Sequence, residues 1–192
     1  MASFVLLAAL VALGATREAD LATTMALQSV ASEPLDLVAN GHTLLGQLVV
    51  TLSAAALLAA VAWRRLGGYA WLGPLLILAT GGLELIFKFA LQHPSPPEEF
   101  VRAFHNALGI RVESPSSFPS GHVARLAFLA MILAALYPRR ASWVVAGAFV
   151  AASVYLRIYI GDHWISDALA GLALGAAVAG AAVGWMRITA RR

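Results

Sequence analysis

An all-helical, polytopic membrane fold is predicted by two observations. Of the 192 residues, 60% are hydrophobic and only 12% are charged, and the apolar residues fall in long runs with the charges confined to the gaps between them. A soluble core of this size needs a polar surface to cover it, whereas a bilayer demands apolar runs of roughly 20 residues. The chain has no Cys, which excludes disulfides, thiolate chemistry and Cys-ligated metals.

Six apolar segments are predicted as helices: Phe4 to Ala15, Gly46 to Trp63, Tyr69 to Leu91, Val123 to Tyr137, Ser142 to Ile160 and Ile165 to Trp185. About 30 Å of hydrocarbon at 1.5 Å per residue takes roughly 20 residues. The first and fourth segments are short by that measure and are expected to borrow from their flanks. The run ending in "ALGATREA" has no basic residue before it, so it reads as an uncleaved first helix and not as a signal peptide. No repeat or linker divides the chain, and residues 1–192 are expected to form a single integral membrane domain.

Charge gives the topology. Twelve of the thirteen basic residues are Arg, and they cluster after the second segment (Arg64, Arg65), the fourth (Arg139, Arg140) and the sixth (Arg187, Arg191, Arg192). By the positive-inside rule these gaps and both termini are cytoplasmic, and loops 16–45 and 92–122 face outward with the turn at 161–164. Such clusters point to topology and not to a nucleic-acid partner. Loop 16–45 carries four acidic residues against one Arg and reads as a partly amphipathic outer cap.

Three polar clusters share the outer face. In "KFALQHPSPP" the sole lysine, Lys88, ends the third segment; alone it reads as an interface anchor paired with Glu84 at i, i+4. In "SSFPSGHVAR", Ser120, Gly121 and His122 precede the fourth segment. Backbone N–H groups, a hydroxyl and the positive end of a helix dipole there form a phosphate cradle, or more plainly an N-cap. In "RIYIGDHWISDALAG", His163 follows Arg157 by six residues and Asp167 follows His163 by four. The i, i+4 spacing places the carboxylate a turn from the imidazole, where it fixes the tautomer that leaves the other ring nitrogen free to attack. Arg157 supplies a fork for phosphate oxygens. Charges at membrane depth cost about 2.5–3.5 kcal/mol each on insertion scales, so function is the default explanation there.

Together these clusters resemble the type 2 phosphatidic acid phosphatase family, membrane lipid phosphatases that share a core with the vanadium haloperoxidases. Its signature runs K-x6-R-P, P-S-G-H, S-R-x5-H-x3-D. This chain matches with Lys88 and Pro96 in motif 88–96, with Pro119 to His122 in motif 119–122, and with Arg157, His163 and Asp167 in motif 157–167. The resemblance implies a six-transmembrane-helix bundle that hydrolyses a lipid phosphate or diphosphate, of the undecaprenyl diphosphate, phosphatidylglycerol phosphate or phosphatidic acid class, at the outer face of the cell membrane. It implies His163 as the nucleophile that becomes phosphohistidine, Asp167 as its orienting partner and His122 as general acid and base. Lys88, Arg157, Ser120 and the Gly121 N–H are implied as phosphate ligands. No metal or cofactor is expected, because Lys and Arg supply the positive charge.

Two positions depart from the family pattern. Leu156 stands in place of Ser, and Ser95 in place of the first-motif Arg, which removes a bidentate ligand. Arg102 is the first candidate to replace it and Arg125 the second; Arg102 has an alternative partner in Glu98. Two other functions are weighed: a lipid phosphotransferase using the same intermediate, and a non-catalytic lipid-phosphate binder or transporter, for which Ser95 is the argument. His42 and His93 read as outer-interface residues within reach of a head group but more plainly without chemistry, and Asp162 as a residue that tunes the His163 pKa or, more plainly, starts the helix. The glycines from Gly171 to Gly184 are read as internal helix packing, and no homodimer is predicted.

Overall fold

The computed structural model describes residues 1–102 and 116–190. The middle of the predicted outer loop 92–122 and two members of the last basic cluster, Arg191 and Arg192, lie outside the described residues. Among the described residues there is no strand, and the helices are α1 (Ala2–Ala12), α2 (Arg17–Gln28), α3 (Glu33–Leu45), α4 (Leu48–Leu66), α5 (Leu72–Leu75), α6 (Ile77–Ala90), α7 (Gly121–Leu136), α8 (Arg140–Tyr159) and α9 (Ile165–Thr189), with a 3-10 turn at Glu98–Phe100.

By length and composition four of these stretches are able to cross a membrane: Leu48–Leu66, Leu72–Ala90, Arg140–Tyr159 and Ile165–Thr189. A fifth is added if the bent pair α1 and α2 counts as one span, and α7 is a shorter apolar helix. The chain is a multi-pass membrane protein. α1 does not extend into its flanks as expected. Its 11 residues reach about 16 Å, roughly half the hydrocarbon thickness, before the chain turns at residues 13–16 and departs at 100° as α2. The polar run Thr16, Arg17, Glu18 explains the stop, since it cannot remain in hydrocarbon without partners.

α7 is the axis of the bundle. Its buried face takes α4 and α9 at one end, where Ala62, Phe128, Ile132, Ala182 and Met186 pack together, and α1 at the other, where Phe4 joins Phe118, Ala124 and Leu174. Contact with α9 is backbone to backbone: a Cβ on Gly171 would run into the carbonyl of Ser120, and one on Gly175 into that of Ala124. Nothing lies within 4 Å of the Cβ positions of Gly180 and Gly184. The small-residue pattern of α9 therefore serves internal packing in its first half.

The two ends of the bundle differ in charge. At one end the Arg65 guanidinium lies 4.2 Å from the Tyr137 ring centroid, and Trp185 Nε1 donates to the Tyr69 carbonyl at 3.0 Å. At the other end converge the C-termini of α6 and α8, the N-termini of α7 and α9, and the cap expected from residues 16–45. That cap is the helix pair α2 and α3. Gln28 Nε2 donates to the carbonyls of Phe100 (2.7 Å) and Tyr159 (2.8 Å), and Ala39 of α3 packs on Leu156, Tyr159 and Ile160.

Candidate active site

The turn between α8 and α9 carries the first group of polar residues. Gly161 adopts φ 71°, a left-handed conformation natural to glycine, and a Cβ there would meet the carbonyl of Phe100. The reversal lifts His163 out of both helices and starts α9 two residues later. Asp167, in the first turn of α9 and fully buried, accepts the Trp164 N–H at 3.0 Å through Oδ2, which satisfies one of the unpaired donors at a helix start. The same oxygen lies 3.4 Å from His163 Nδ1, so the expected imidazole–carboxylate couple is present, and the ring also meets the Ser117 backbone.

Arg157 is 4% exposed and anchored on two sides, by Asp162 Oδ2 at 2.7 Å and by the Thr43 hydroxyl at 3.2 Å. Asp162, expected as a helix-starting residue, is instead the counter-ion that orients Arg157; Trp164 occupies the helix cap. His163 is buried beside these charges. Burial first, and then the positive charges of Arg157 and Lys88, hold its imidazole well below the ordinary value of 6.5, so the neutral ring is favoured.

The second group is the start of α7. The Ser120 N–H donates to the Asp167 carbonyl at 3.0 Å, which brings the Ser-Gly-His turn against the His163 turn. Ser120 Oγ and His122 Nε2 are buried without a hydrogen-bond partner among the described residues. Buried polar groups are rarely left so, and two together at a helix N-terminus beside fixed cations mark a place for an anionic ligand. His122 lies within electrostatic reach of His163 and Arg157, and the α3–α4 corner at Gly46 closes over its ring.

Lys88, from the last turn of α6, completes the group. Its Nζ donates to the carbonyls of Ser116 (3.2 Å) and Ser117 (3.4 Å), which tethers the segment leading into α7. Glu84, the partner the spacing suggested, lies within electrostatic reach of it but makes its close ion pair elsewhere. That carboxylate takes Arg125 at 2.7 Å, and Arg125 also donates to the Gly46 carbonyl at 3.1 Å. Arg125 is thus committed to a strut between α6, α7 and the cap. Arg102 is likewise committed: Nε and Nη2 meet the two oxygens of Asp36 at 2.8 and 2.7 Å, and Tyr159 OH donates to the same carboxylate at 2.6 Å. Asp36, not Glu98, is its partner. Ser95 is exposed on the Pro-rich loop, which Trp164 Nε1 clamps through the Pro94 carbonyl at 2.7 Å.

Sequence reasoning missed three residues here. Asp20 of α2 and His93, both buried, join Ser166 in a cluster directly behind Asp167. His42, read as an interface residue, faces Ser153 and Phe149 of α8 at 3.1 and 5.5 Å; burial and then the Arg157 charge lower its pKa.

Comparison with known proteins bears on what such an arrangement belongs to. No curated protein sequence matches this chain. Among solved structures it is similar to a transmembrane PAP2 type phosphatidylglycerolphosphate phosphatase from Bacillus subtilis, with 24% identity, a TM-score of 0.79 and coverage of 98% of this chain and 94% of that one. It is also similar to LpxE of Aquifex aeolicus, at 19% identity and a TM-score of 0.67, covering 86% of this chain and 94% of that chain. The sequence model of the PAP2 superfamily matches residues 68–191, the stretch that holds all three polar motifs. The chain belongs to the PAP2 superfamily, the family its motifs resemble.

Proposed function

We propose that the protein is a membrane lipid phosphatase that hydrolyses a lipid phosphate or diphosphate through a phosphohistidine on His163. One observation carries this reading: the His163–Asp167 imidazole–carboxylate couple lies within electrostatic reach of Lys88, Arg157 and His122, and Ser120 Oγ and His122 Nε2 are buried without a hydrogen-bond partner among the described residues.

The reaction proceeds in two balanced steps. His163 Nε2 gives its lone pair to phosphorus in line with the lipid oxygen, the P–O bond breaks with its electron pair on oxygen, and protonated His122 delivers the proton that makes the lipid alcohol. Water then attacks the phosphohistidine, His122 takes a proton from it, and the P–N pair returns to His163. Asp167 holds the Nδ1–H and stabilises the positive ring. Lys88, Arg157, the Ser120 hydroxyl and the Gly121 N–H receive the non-bridging oxygens, where charge accumulates. The chain's own cations supply the charge complement, so turnover proceeds without divalent metal. Arg102 is read as a latch of the cap and not as the substitute for the missing Arg.

In this reading six helices lie in the membrane: α1 to about half its depth, then α4, the α5–α6 pair, α7, α8 and α9 across it. The basic end is cytoplasmic and the site extracytoplasmic. The lipid enters sideways between helices. An outward site favours undecaprenyl diphosphate among the three substrate classes, since that diphosphate is released on that face.

The test is a panel of lipid mono- and diphosphates with purified protein in detergent and EDTA. Phosphate release is expected, with at least about a 10³-fold loss in His163→Ala and acid-labile label on the wild-type protein. Activity that survives His163→Ala, or that EDTA abolishes, overturns the mechanism. Product formation that requires a second lipid or glycan identifies a phosphotransferase, and binding without release identifies a binder.

A further inference from the structure

Behind the His163–Asp167 couple lies a set of buried polar groups that the two-step chemistry does not use. Asp167 has two oxygens. Oδ2 receives the Trp164 N–H and faces His163; Oδ1 faces His93 Nε2 at 3.5 Å. The His93 ring is buried. Its Nε2 also lies 3.3 Å from the Ser166 hydroxyl and 3.8 Å from Asp20 Oδ2. Asp20 is 2% exposed and receives both the N–H and the hydroxyl of Ser166, each at 3.0 Å.

The chemistry of these neighbours fixes the ring. Two are carboxylate oxygens, and the third is a hydroxyl whose hydrogen already points at Asp20. All three accept, so His93 Nε2 must carry a hydrogen, which goes to Ser166 Oγ with Asp167 Oδ1 alongside at 3.5 Å. A carboxylate with no solvent access takes the orientation its donors impose. His93 thus lies at ion-pair distance from the second oxygen of Asp167, which has no hydrogen-bond partner among the described residues, while Trp164 hydrogen-bonds the first. Its backbone is pinned as well: the His93 N–H donates to Ser116 Oγ at 3.3 Å, and its carbonyl accepts from the N–H (2.9 Å) and hydroxyl (3.0 Å) of Ser117. Ser116 and Ser117 are the residues whose carbonyls hold Lys88.

We propose that His93, fixed by Asp20 and Ser166, is a positioning residue of the phosphoryl-accepting couple: it holds Asp167 in the rotamer that presents Oδ2 to His163 Nδ1 and thereby aims Nε2 at phosphorus. The cap helix α2 belongs to this machinery through Asp20. The inference rests on the assignment of His163 as nucleophile.

The test compares His93→Ala, His93→Gln and Asp20→Asn with wild type and His163→Ala, using the full chain in detergent and the lipid phosphate that wild type hydrolyses best. A Gln amide nitrogen reaches close to the position of Nε2 and keeps the donor. Removal of such a supporting group costs about 10- to 100-fold where it orients a metal-ligating side chain, and the same order is expected here. His93→Ala should lose kcat by about that factor with KM changed less than about 3-fold, and the single-turnover rate of protein phosphorylation should fall in parallel. His93→Gln should recover most of the loss, and Asp20→Asn should fall between. Should His93→Ala fail to fold, Asp20→Asn against wild type carries the comparison. A His93→Ala protein with wild-type kcat beside an inactive His163→Ala overturns this proposal alone, as does a His93→Gln no better than His93→Ala. Activity retained in His163→Ala overturns the underlying reading and this proposal with it.

Discussion

The backbone N–H of Ser120 donates to the carbonyl of Asp167 at 3.0 Å. One hydrogen bond therefore joins the turn that presents His122 to the turn that presents His163, and it depends on α7 and α9 approaching until their backbones touch. Gly171 permits that approach, because a Cβ there would enter the Ser120 carbonyl. Gly171→Ala should destabilise the protein by about 1–3 kcal/mol and lower kcat by at least about 10-fold through misplacement of the reacting groups. Gly180, with nothing within 4 Å of its Cβ position, is the control: Gly180→Ala should leave kcat unchanged and raise stability by up to about 1 kcal/mol. Thermal unfolding in detergent and phosphate release read both.

A pH profile tests the nucleophile. In the proposed mechanism only neutral His163 attacks, and its pKa is held well below 6.5 by burial and then by Arg157 and Lys88. Because the shift is downward, the attacking form already dominates at pH 6.5, and loss of kcat/KM from its protonation should begin only well below that pH. Lys88→Met removes one of the depressing charges. It should lower the rate throughout and move the acid limb upward towards 6.5.

The latch between Arg102 and Asp36 is tested by its two halves. The bidentate Arg102 contact holds the Asp36 carboxyl below its ordinary 3.8, against an opposing effect of burial. A depressed carboxyl contributes stability above its unfolded value and loses it as pH falls through the folded one. Asp36→Asn should therefore lower the melting temperature slightly at pH 5 to 8, equivalent to about 0.2–1 kcal/mol for a partly solvated pair, and the difference should vanish below pH 3.8. Arg102→Ala and Asp36→Asn should raise KM alike. If Arg102 were a phosphate ligand, releasing it through Asp36→Asn would lower KM instead.

The Arg125–Glu84 pair, with side chains 10% and 15% exposed, makes a sharper stability prediction. Arg125→Met leaves a buried carboxylate unpaired and should cost about 3–5 kcal/mol, whereas the double change Arg125→Met with Glu84→Gln should recover most of it. Non-additivity in thermal unfolding is the readout. Additive losses would show that the two side chains do not act as a pair.

Local spacing made part of this architecture legible. The couple of His163 and Asp167, the Ser-Gly-His helix start and the close-packing glycines of α9 each lie within one or two helical turns, so periodicity alone brings their members together. The Asp20–Ser166 contact spans 146 residues and the Arg102–Asp36 contact 66. No short-range pattern announces either, and a lone loop His such as His93 gives no sign of what lies behind it. Hydropathy likewise carried the first segment on to Ala15, because its average does not register the backbone reversal at residues 13–16. It also ran through the break at Leu76 between α5 and α6, where the flanking residues are as apolar as a continuous helix.

α7 has 16 residues, about 24 Å of rise, against hydrocarbon about 30 Å thick. The helix that bears His122 on its first turn is short by about 6 Å, and because α4, α6, α8 and α9 pack around it, the shortfall is met by protein and not by lipid. The start of α7 is thereby recessed among longer helices, α4, α8 and α9, and under the proposed function a lipid phosphate reaches it between their ends.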